Sequence, residues 1–112
     1  MTHHPRDDAL RLADILAATH LIAEYIVEGE AAFLDSTKTQ DAVIRQLEII
    51  GEAAGNVSSK LRDDHPEVPW KGMRGFASFS KHEYRKVQMR RVWNAAVECR
   101  SIGAAIAQIR TD

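Results

Sequence analysis

The sequence contains almost no cysteine and no long apolar run. Cys99 is the single cysteine among 112 residues, so neither an internal disulfide nor a site of several thiolates can form. A lack of disulfides is typical of cytoplasmic proteins, and we expect this location. No apolar stretch reaches the roughly 18 residues of a membrane span. Residues 1–8 are polar and lack the apolar core of a secretory signal, so we expect no membrane association.

The motifs of several common enzyme classes are also missing. There is no glycine-rich phosphate loop, no Gly-x-Ser-x-Gly nucleophile turn and no zinc-ligand spacing. A di-iron helical bundle needs Glu-x-x-His, whereas this chain has only the pairs His20 with Glu24 and Glu48 with Glu52. Such pairs are common on helix surfaces. We therefore expect neither a metal site nor a cofactor.

Apolar residues recur at helical spacing along the whole chain, and no strand pattern is present. The first stripe, which ends before Gly29, consists of Leu12, Ile15, Leu16, Ile22, Ala23 and Ile26. The second consists of Val43, Leu47, Ile50, Ala54 and Val57. The last consists of Val92, Ala95, Ala96, Cys99, Ile102, Gly103, Ile106 and Ile109. The pattern predicts an all-α, up-and-down helical bundle that forms one domain over residues 1–112.

Local signals predict where the helices begin and what they pack against. Thr37, with Gln40 three residues later, resembles a capping box at the start of the second long helix. Gly51 and Gly55 in that helix would let a neighbouring helix approach closely. The last helix is expected to start near Gln88.

A proline-rich connector divides the chain between its second and last long helices. Two prolines three residues apart in 65–70 cannot lie inside a helix. A short helix over 58–64 is expected before the connector. A further helix is expected after it, from about Pro69 towards Lys81.

The second and last stripes carry more apolar surface than so short a chain can easily bury alone. A homodimer is therefore expected. Trp70 and Trp93 are predicted to be core or interface anchors.

Charge is distributed unevenly along the chain, although the net charge is only −1. Residues 71–91 contain one acidic residue and seven basic ones, so their net charge is +6 and that of the rest is −7. The basic residues are Lys71, Arg74, Lys81, Arg85, Lys86, Arg90 and Arg91. A local basic field suggests an anionic partner, although a solvated helix face has the same composition.

The segment 70–84 combines His82 and Tyr84 with several cations. These residue types suit RNA cleavage without a metal, in which the ribose 2′-OH attacks the adjacent phosphate. Histidine can transfer protons near neutral pH, and arginine can stabilise the charged phosphorane. Tyrosine can donate a hydrogen bond or stack on a base. The structural alternative is that His82 and Tyr84 simply lie at a helix end, where cations interact favourably with the helix dipole.

The order of motifs along most of the chain resembles the HepT-like branch of the HEPN ribonucleases. The resemblance includes the segment Asp41–Ala54, the connector His-Pro-Glu-Val-Pro-Trp at 65–70, His82-x-Tyr84 and Val92-Trp93. It implies a HEPN-like helical fold and a dimer in which two cleavage motifs face one RNA cleft.

One part of the family motif is missing from this chain. In HEPN ribonucleases, four to six residues separate an arginine from a following His-x-Tyr, and the HepT-like branch has an Arg-Asn pair. This pair falls on Ala77 and Ser78. The nearest upstream arginine is Arg74, one helical turn from position 77 with about 60° of rotation, so its side chain could reach the same cleft. Lys81 is a second substitute, on a different helix face.

The resemblance also implies roles for individual residues and a partner. His82, Tyr84 and Arg74 become the catalytic candidates. The candidate RNA contacts are Lys71, Lys81, Arg85 and Lys86. The implied partner is an MntA-type nucleotidyltransferase antitoxin, which would transfer AMP from ATP to Tyr84.

Three functions remain open on the sequence. The chain is a ribonuclease toxin, or a HEPN variant that keeps the fold and partner contact without turnover, or an unrelated helical adaptor for an acidic protein. The residue at position 77 separates the first two. RNA affinity in mild salt separates both from the third.

Overall fold

The prediction of an all-α chain is confirmed. The computed structural model describes residues 5–78 and 84–110, and every regular element in these ranges is a helix. In chain order the helices are α1 (Pro5–Tyr25), α2 (Glu30–Leu34), α3 (Thr37–Asn56), α4 (Ser59–Asp64), α5 (Trp70–Gly75) and α6 (Arg85–Ala107). The long helices α1, α3 and α6 pack on one another and enclose the core. No helix in the described ranges is long and apolar enough to cross a membrane.

The predicted apolar stripes supply most of this core. All residues of the second stripe are buried, and in the last stripe only Gly103 and Ile109 are half-buried. The α1 stripe is less complete, because Ala23 is exposed and Leu16 and Ile26 are only half-buried. Helical periodicity therefore identified the buried faces of α3 and α6 better than that of α1.

The predicted capping box at Thr37 and Gln40 was wrong. The hydroxyl of Ser36 caps α3 instead, by accepting a hydrogen bond from the Thr39 amide at 3.1 Å. The side chain of Gln40 is buried and donates to the carbonyls of Phe33 and Leu34, at 3.0 and 3.1 Å. These two carbonyls belong to α2, a short helix that the periodicity did not predict.

Two other helix ends also differ from their predictions. Helix α5 ends at Gly75 instead of continuing towards Lys81, which lies outside the described residues. Helix α6 begins at Arg85, three residues before the predicted start at Gln88. The apolar pattern does not predict the first turn of α6, because its side chains are mostly polar and exposed. The buried face of this helix begins only at Met89.

The predicted connector between α4 and α5 is confirmed, and it has its own internal bonds. The indole Nε1 of Trp70 donates to the carbonyl of His65 at 2.9 Å, and the Trp70 ring is buried. The Val68 amide donates to the same carbonyl at 3.2 Å. Trp70 is thus a core anchor that fixes the entry into α5. Trp93 is half-buried and contacts Phe33, with ring centroids 5.4 Å apart.

A buried carboxylate links the start of α1 to the junction between α3 and α4. Asp8 is 8% exposed, and its two oxygens accept from the Ser58 amide at 2.8 Å and the Ser58 hydroxyl at 2.6 Å. The same hydroxyl caps α4 by accepting from the Leu61 amide at 3.1 Å. Asp8 therefore connects α1 to the α3–α4 junction, 50 residues away in sequence.

We predict that Asp8→Ala lowers the free energy of unfolding by about 1–3 kcal/mol, because it leaves the Ser58 amide without its partner. Urea denaturation measures this loss. Asp7→Ala is the matched control, since Asp7 is exposed in the same first turn and removes the same charge near the helix dipole. Equal losses for the two variants would show that the Asp8–Ser58 link contributes nothing specific.

Candidate functional site

Helix α5 is held against α3 by its apolar side chains. Trp70 and Met73 are buried, and Phe76 follows them one turn later at 8% exposure. These three residues recur at a spacing of three, so they share one face of the short helix. Their burial holds α5 against α3.

Gly51 is the point at which the chain after α5 comes closest to α3. A Cβ atom added at Gly51 would lie 2.8 Å from the Cβ of Ala77 and 2.9 Å from its Cα, and it would also overlap the Ala77 amide nitrogen. No side chain fits in this space, so the contact requires glycine at position 51. The sequence-based expectation of a close approach at this glycine is confirmed. The neighbour is the backbone of Ala77, the position at which the sequence-based hypothesis expects an arginine.

Arg74 lies over the next turn of the same α3 face. A Cβ at Gly55 would be 3.9 Å from the Nε atom of Arg74, which is an ordinary contact distance. Gly51 and Gly55 are one helical turn apart, about 5.4 Å along α3. Position 77 and the Arg74 guanidinium therefore occupy adjacent turns of one surface.

The backbone after α5 brings positions 74 and 77 into line. Three backbone amides here each donate to the carbonyl oxygen three residues earlier. The pairs are Phe76 to Met73 at 3.0 Å, Ala77 to Arg74 at 3.2 Å and Ser78 to Gly75 at 3.3 Å. Bonds of this spacing wind the chain with three residues per turn, so residues three apart lie nearly above each other. Arg74 is exposed, and its guanidinium has no hydrogen-bond or ion-pair partner in the described part of the chain.

Tyr84 stands at the start of α6 with its side chain 80% exposed. It is the N-cap residue of that helix, and its carbonyl accepts the amide of Gln88 at 2.9 Å. The phenol is thus open to a reagent or partner. His82, the other member of the predicted His-x-Tyr pair, lies outside the described residues, as does Lys81.

Arg85 is engaged within the chain. Its guanidinium donates to Oε1 of Gln40 at 2.8 Å and lies 3.5 Å from the carboxylate of Asp41. Because Gln40 also binds the end of α2, this amide joins α2, α3 and the first turn of α6. The link lies directly beside Tyr84 in sequence and fixes where α6 begins.

The remaining predicted RNA contacts are open to solvent. Lys71 and Lys86 are exposed, and in the described residues neither has a hydrogen-bond or ion-pair partner. Ser78 is exposed as well. The structure thus distinguishes the two lysines, which can meet a ligand freely, from Arg85.

Other reactive groups offer little chemistry. Burial, with a smaller effect from the Glu98 charge, raises the pKa of the Cys99 thiol to about 12, so the thiol stays protonated at neutral pH. The described residues contain no cluster of three or more histidine, cysteine or acidic side chains able to hold a metal ion.

The chain belongs to the Ribonuclease HepT-like family, whose profile matches residues 15–109. A protein named probable ribonuclease HepT, from Thermococcus cleftensis, is 42% identical over 88 residues, which are 78% of this chain and 80% of that protein. A protein of Methanocaldococcus jannaschii that is named provisionally as an RNase is 33% identical over 94 residues, 83% of this chain and 86% of that one.

A second provisionally named RNase of Methanocaldococcus jannaschii is 40% identical over a shorter stretch of 65 residues. These are 58% of this chain and 54% of that relative, so the match spans about half the relative's length. No solved structure matches the chain. The predicted family is therefore confirmed by sequence relatives.

Sequence reasoning missed the link between Gln40 and Arg85. Gln40 was interpreted as a helix cap and Arg85 as a contact for RNA, because both residues are frequent in those roles. Their pairing joins positions 45 apart in the chain, and no local spacing signals such a contact. The only hint was that a buried glutamine needs partners for its amide group.

We predict that Gly51→Ala lowers the free energy of unfolding by about 1–3 kcal/mol, because its methyl group would overlap the Ala77 backbone. Gly55→Ala is the control, since a methyl group there meets only the Arg74 side chain at contact distance. It should be neutral or stabilising by up to about 1 kcal/mol through helix propensity. Thermal or urea unfolding measures both changes, and equal effects would contradict the close approach at Gly51.

Proposed function

We propose that this protein is a metal-independent endoribonuclease toxin of the cytoplasm whose turnover is weakened by the residue at position 77. The observation that carries the proposal is the placement of Ala77 on Gly51, with no guanidinium on its own side chain. Family membership supports the ribonuclease reaction. The exposed cations around this surface support an RNA substrate.

The proposed reaction is attack of a ribose 2′-oxygen on the neighbouring phosphorus. The bond from phosphorus to the 5′-oxygen of the next nucleotide breaks, which leaves a 2′,3′-cyclic phosphate and a 5′-hydroxyl group. His82 would serve as acid or base in these proton transfers. Tyr84 would donate a hydrogen bond to the phosphate or stack on a base.

Arg74 is the residue that we propose as a partial substitute for the missing arginine. Its side chain is exposed, without a partner in the described residues, and one α3 turn from position 77. A guanidinium stabilises the extra charge of the phosphorane best when it is held in place beforehand. Arg74 carries the required charge, but its side chain lies beside Gly55, one turn of α3 away from the contact between Gly51 and Ala77. We therefore expect it to assist cleavage only weakly.

The active unit is proposed to be a homodimer with two motifs facing one RNA cleft. Two copies would double the number of cations around the cleft, and the family resemblance supports this arrangement. The sequence-based reason for a dimer was wrong, because one chain already buries nearly all apolar residues of the second and last stripes. Val27, Val87 and Val97 are each at least half exposed, but single exposed apolar side chains are common on monomers.

Control by an antitoxin is the regulatory part of the proposal. An MntA-type nucleotidyltransferase would transfer AMP from ATP to the phenolic oxygen of Tyr84, with pyrophosphate as the leaving group and loss of the phenolic proton. The 80% exposure of the Tyr84 side chain supports its access to such an enzyme. The added phosphate would repel RNA and fill the cleft.

A second candidate is a catalytically impaired family member that keeps RNA or antitoxin binding. The loss of arginine at position 77 favours it directly, since binding residues such as Lys71 and Lys86 are retained. The two candidates differ only in whether any turnover remains.

RNA binding should depend on salt and on the exposed lysines. We predict that Lys86→Gln weakens binding to single-stranded RNA and reduces the slope of log K against log salt by roughly 0.7, the value for one phosphate contact. Arg85→Gln should change the slope less and instead lower the free energy of unfolding by about 1 kcal/mol, because its guanidinium binds Gln40. Fluorescence anisotropy at several salt concentrations measures the slopes. Affinity that is independent of salt would favour the adaptor for an acidic protein.

The unmodified chain should cleave RNA feebly or not at all, and we predict that Ala77→Arg raises the rate. Loss of one preorganised charge-stabilising group commonly costs on the order of 10²–10³ in rate, and restoring it should recover part of this factor. Ala77 is half-buried instead of enclosed, so a longer side chain can extend towards solvent. Single-turnover cleavage of one RNA in the presence of EDTA measures the change.

Two further variants make this experiment decisive. If the unmodified chain is already a vigorous ribonuclease and Arg74→Ala abolishes cleavage, Arg74 is the catalytic arginine and the assignment of position 77 is wrong. If His82→Ala leaves vigorous cleavage unchanged, the proposed mechanism fails. Circular dichroism of each variant controls for loss of the fold.

A further inference from the structure

A groove of about 310 Å³ runs between α5 and α6 beside the proposed cleavage site. On one side it reaches Phe76, the residue before Ala77. None of the residues assigned above to catalysis lines it. The groove therefore lies next to the proposed position of the scissile phosphate, but it is a separate site.

Four of the residues that line this groove have apolar side chains or none. Phe76 and Ala95 are both buried. Gly72 and Gly75 line it as well, and a Cβ added to either would meet no atom within 4 Å. The two glycines therefore leave room beside an apolar surface, against which a planar ring can pack.

The opposite rim is polar and comes from one face of α6. Arg91, Asn94 and Glu98 follow each other at spacings of three and four residues. Arg91 and Glu98 are separated by about 10.5 Å along the helix axis. The rim thus has a cation at the end nearer Tyr84 and a carboxylate at the far end.

The carboxylate and amide of this rim are unused by the described part of the protein. The side chains of Asn94 and Glu98 are exposed and have no hydrogen-bond or ion-pair partner in residues 5–78 and 84–110. A carboxylate accepts hydrogen bonds only, whereas an amide both donates and accepts. The groove therefore offers the two acceptor oxygens of Glu98 and the amide of Asn94 to a ligand.

We propose that this groove binds a guanine base of the RNA next to the cleaved phosphate, with Glu98 accepting hydrogen bonds from N1–H and the exocyclic N2 amino group. The inference rests on the proposed function and adds a base preference to it. The phosphate side of the nucleotide would lie towards Arg91 and Tyr84, and the base edge towards Glu98.

Guanine is preferred because of the pattern of donors on its Watson–Crick edge. Its N1–H and N2 amino groups are neighbouring donors, which match the two oxygens of one carboxylate. Adenine and cytosine each place a ring nitrogen acceptor beside their amino group, and uracil flanks its single N–H with two carbonyl oxygens. A carboxylate facing any of these three would meet at least one acceptor and be repelled by it.

The test compares short oligouridine RNAs that carry one guanosine, one inosine or one adenosine at the same position. Inosine lacks only the N2 amino group. We expect the unmodified protein to bind the guanosine RNA at least about fivefold more tightly than the other two. Glu98→Gln should reduce this ratio to near one. Glu24→Gln, which removes an exposed acid from α1, should raise affinity for all three RNAs equally and keep the ratio.

A second pair of variants tests the groove itself. Gly72→Leu should fill the groove and remove the guanosine preference, whereas Gly72→Ala should keep it, since neither side chain meets a neighbour at its Cβ. Competition with free GMP shows whether the groove binds guanine as a base of RNA or as a free nucleotide. Displacement of the RNA by GMP at comparable concentration would assign the groove to a free nucleotide and overturn RNA base recognition.

The outcomes also separate this inference from the proposed function. Salt-dependent binding of all three RNAs with equal affinity would overturn the guanine groove and leave the RNA-cleaving function standing. Retention of the guanosine preference in Glu98→Gln would overturn the role of Glu98. Failure to bind any RNA in mild salt would overturn both proposals together.

Discussion

The candidate site depends on the contact between Gly51 and the backbone of Ala77. Without a side chain at position 51, the turn after α5 can lie directly on α3, and any larger residue would push it away. The burial of Trp70 and Met73 brings α5 to the right part of α3, but it does not fix the last turn. Backbone hydrogen bonds between residues three apart then fix the position of Ala77 relative to Arg74. Close packing of backbone on backbone is what defines the site.

The same contact bears on the proposed effect of lacking an arginine side chain at position 77. Position 77 is fixed on α3, so an arginine there would start from a defined point, with little freedom left to lose when it binds a phosphate. Arg74 carries the same charge, but it stems from the preceding turn and lies over Gly55. Preorganisation, more than charge alone, distinguishes a strong transition-state contact from a weak one. In the proposed function, the exposed cations of this surface would attract RNA, whereas position 77 lacks a guanidinium that would accelerate cleavage.

The sequence predicted those features that repeat or that depend on near neighbours. The buried faces of α3 and α6, the connector ending in Trp70 and the close approach at Gly51 all follow from spacing or from residue type. The short helix α2 and the cap at Ser36 did not, because several polar residues in 35–40 could serve as a cap. The Asp8–Ser58 and Gln40–Arg85 links were beyond reach for another reason: each joins residues more than 40 positions apart. At the site, the family resemblance predicts an arginine where Ala77 stands, while only the structure places the Arg74 side chain beside Gly55.

The central claim is that position 77 rests on Gly51 of α3 in solution. Nuclear Overhauser effects between the Gly51 α-protons and the amide and methyl protons of Ala77 test it directly in isotope-labelled protein. The account predicts strong cross peaks from Gly51 to both groups of Ala77, because the two backbones are in contact. Cross peaks from Ala77 to Gly55 alone, or none from Ala77 to α3, would contradict it.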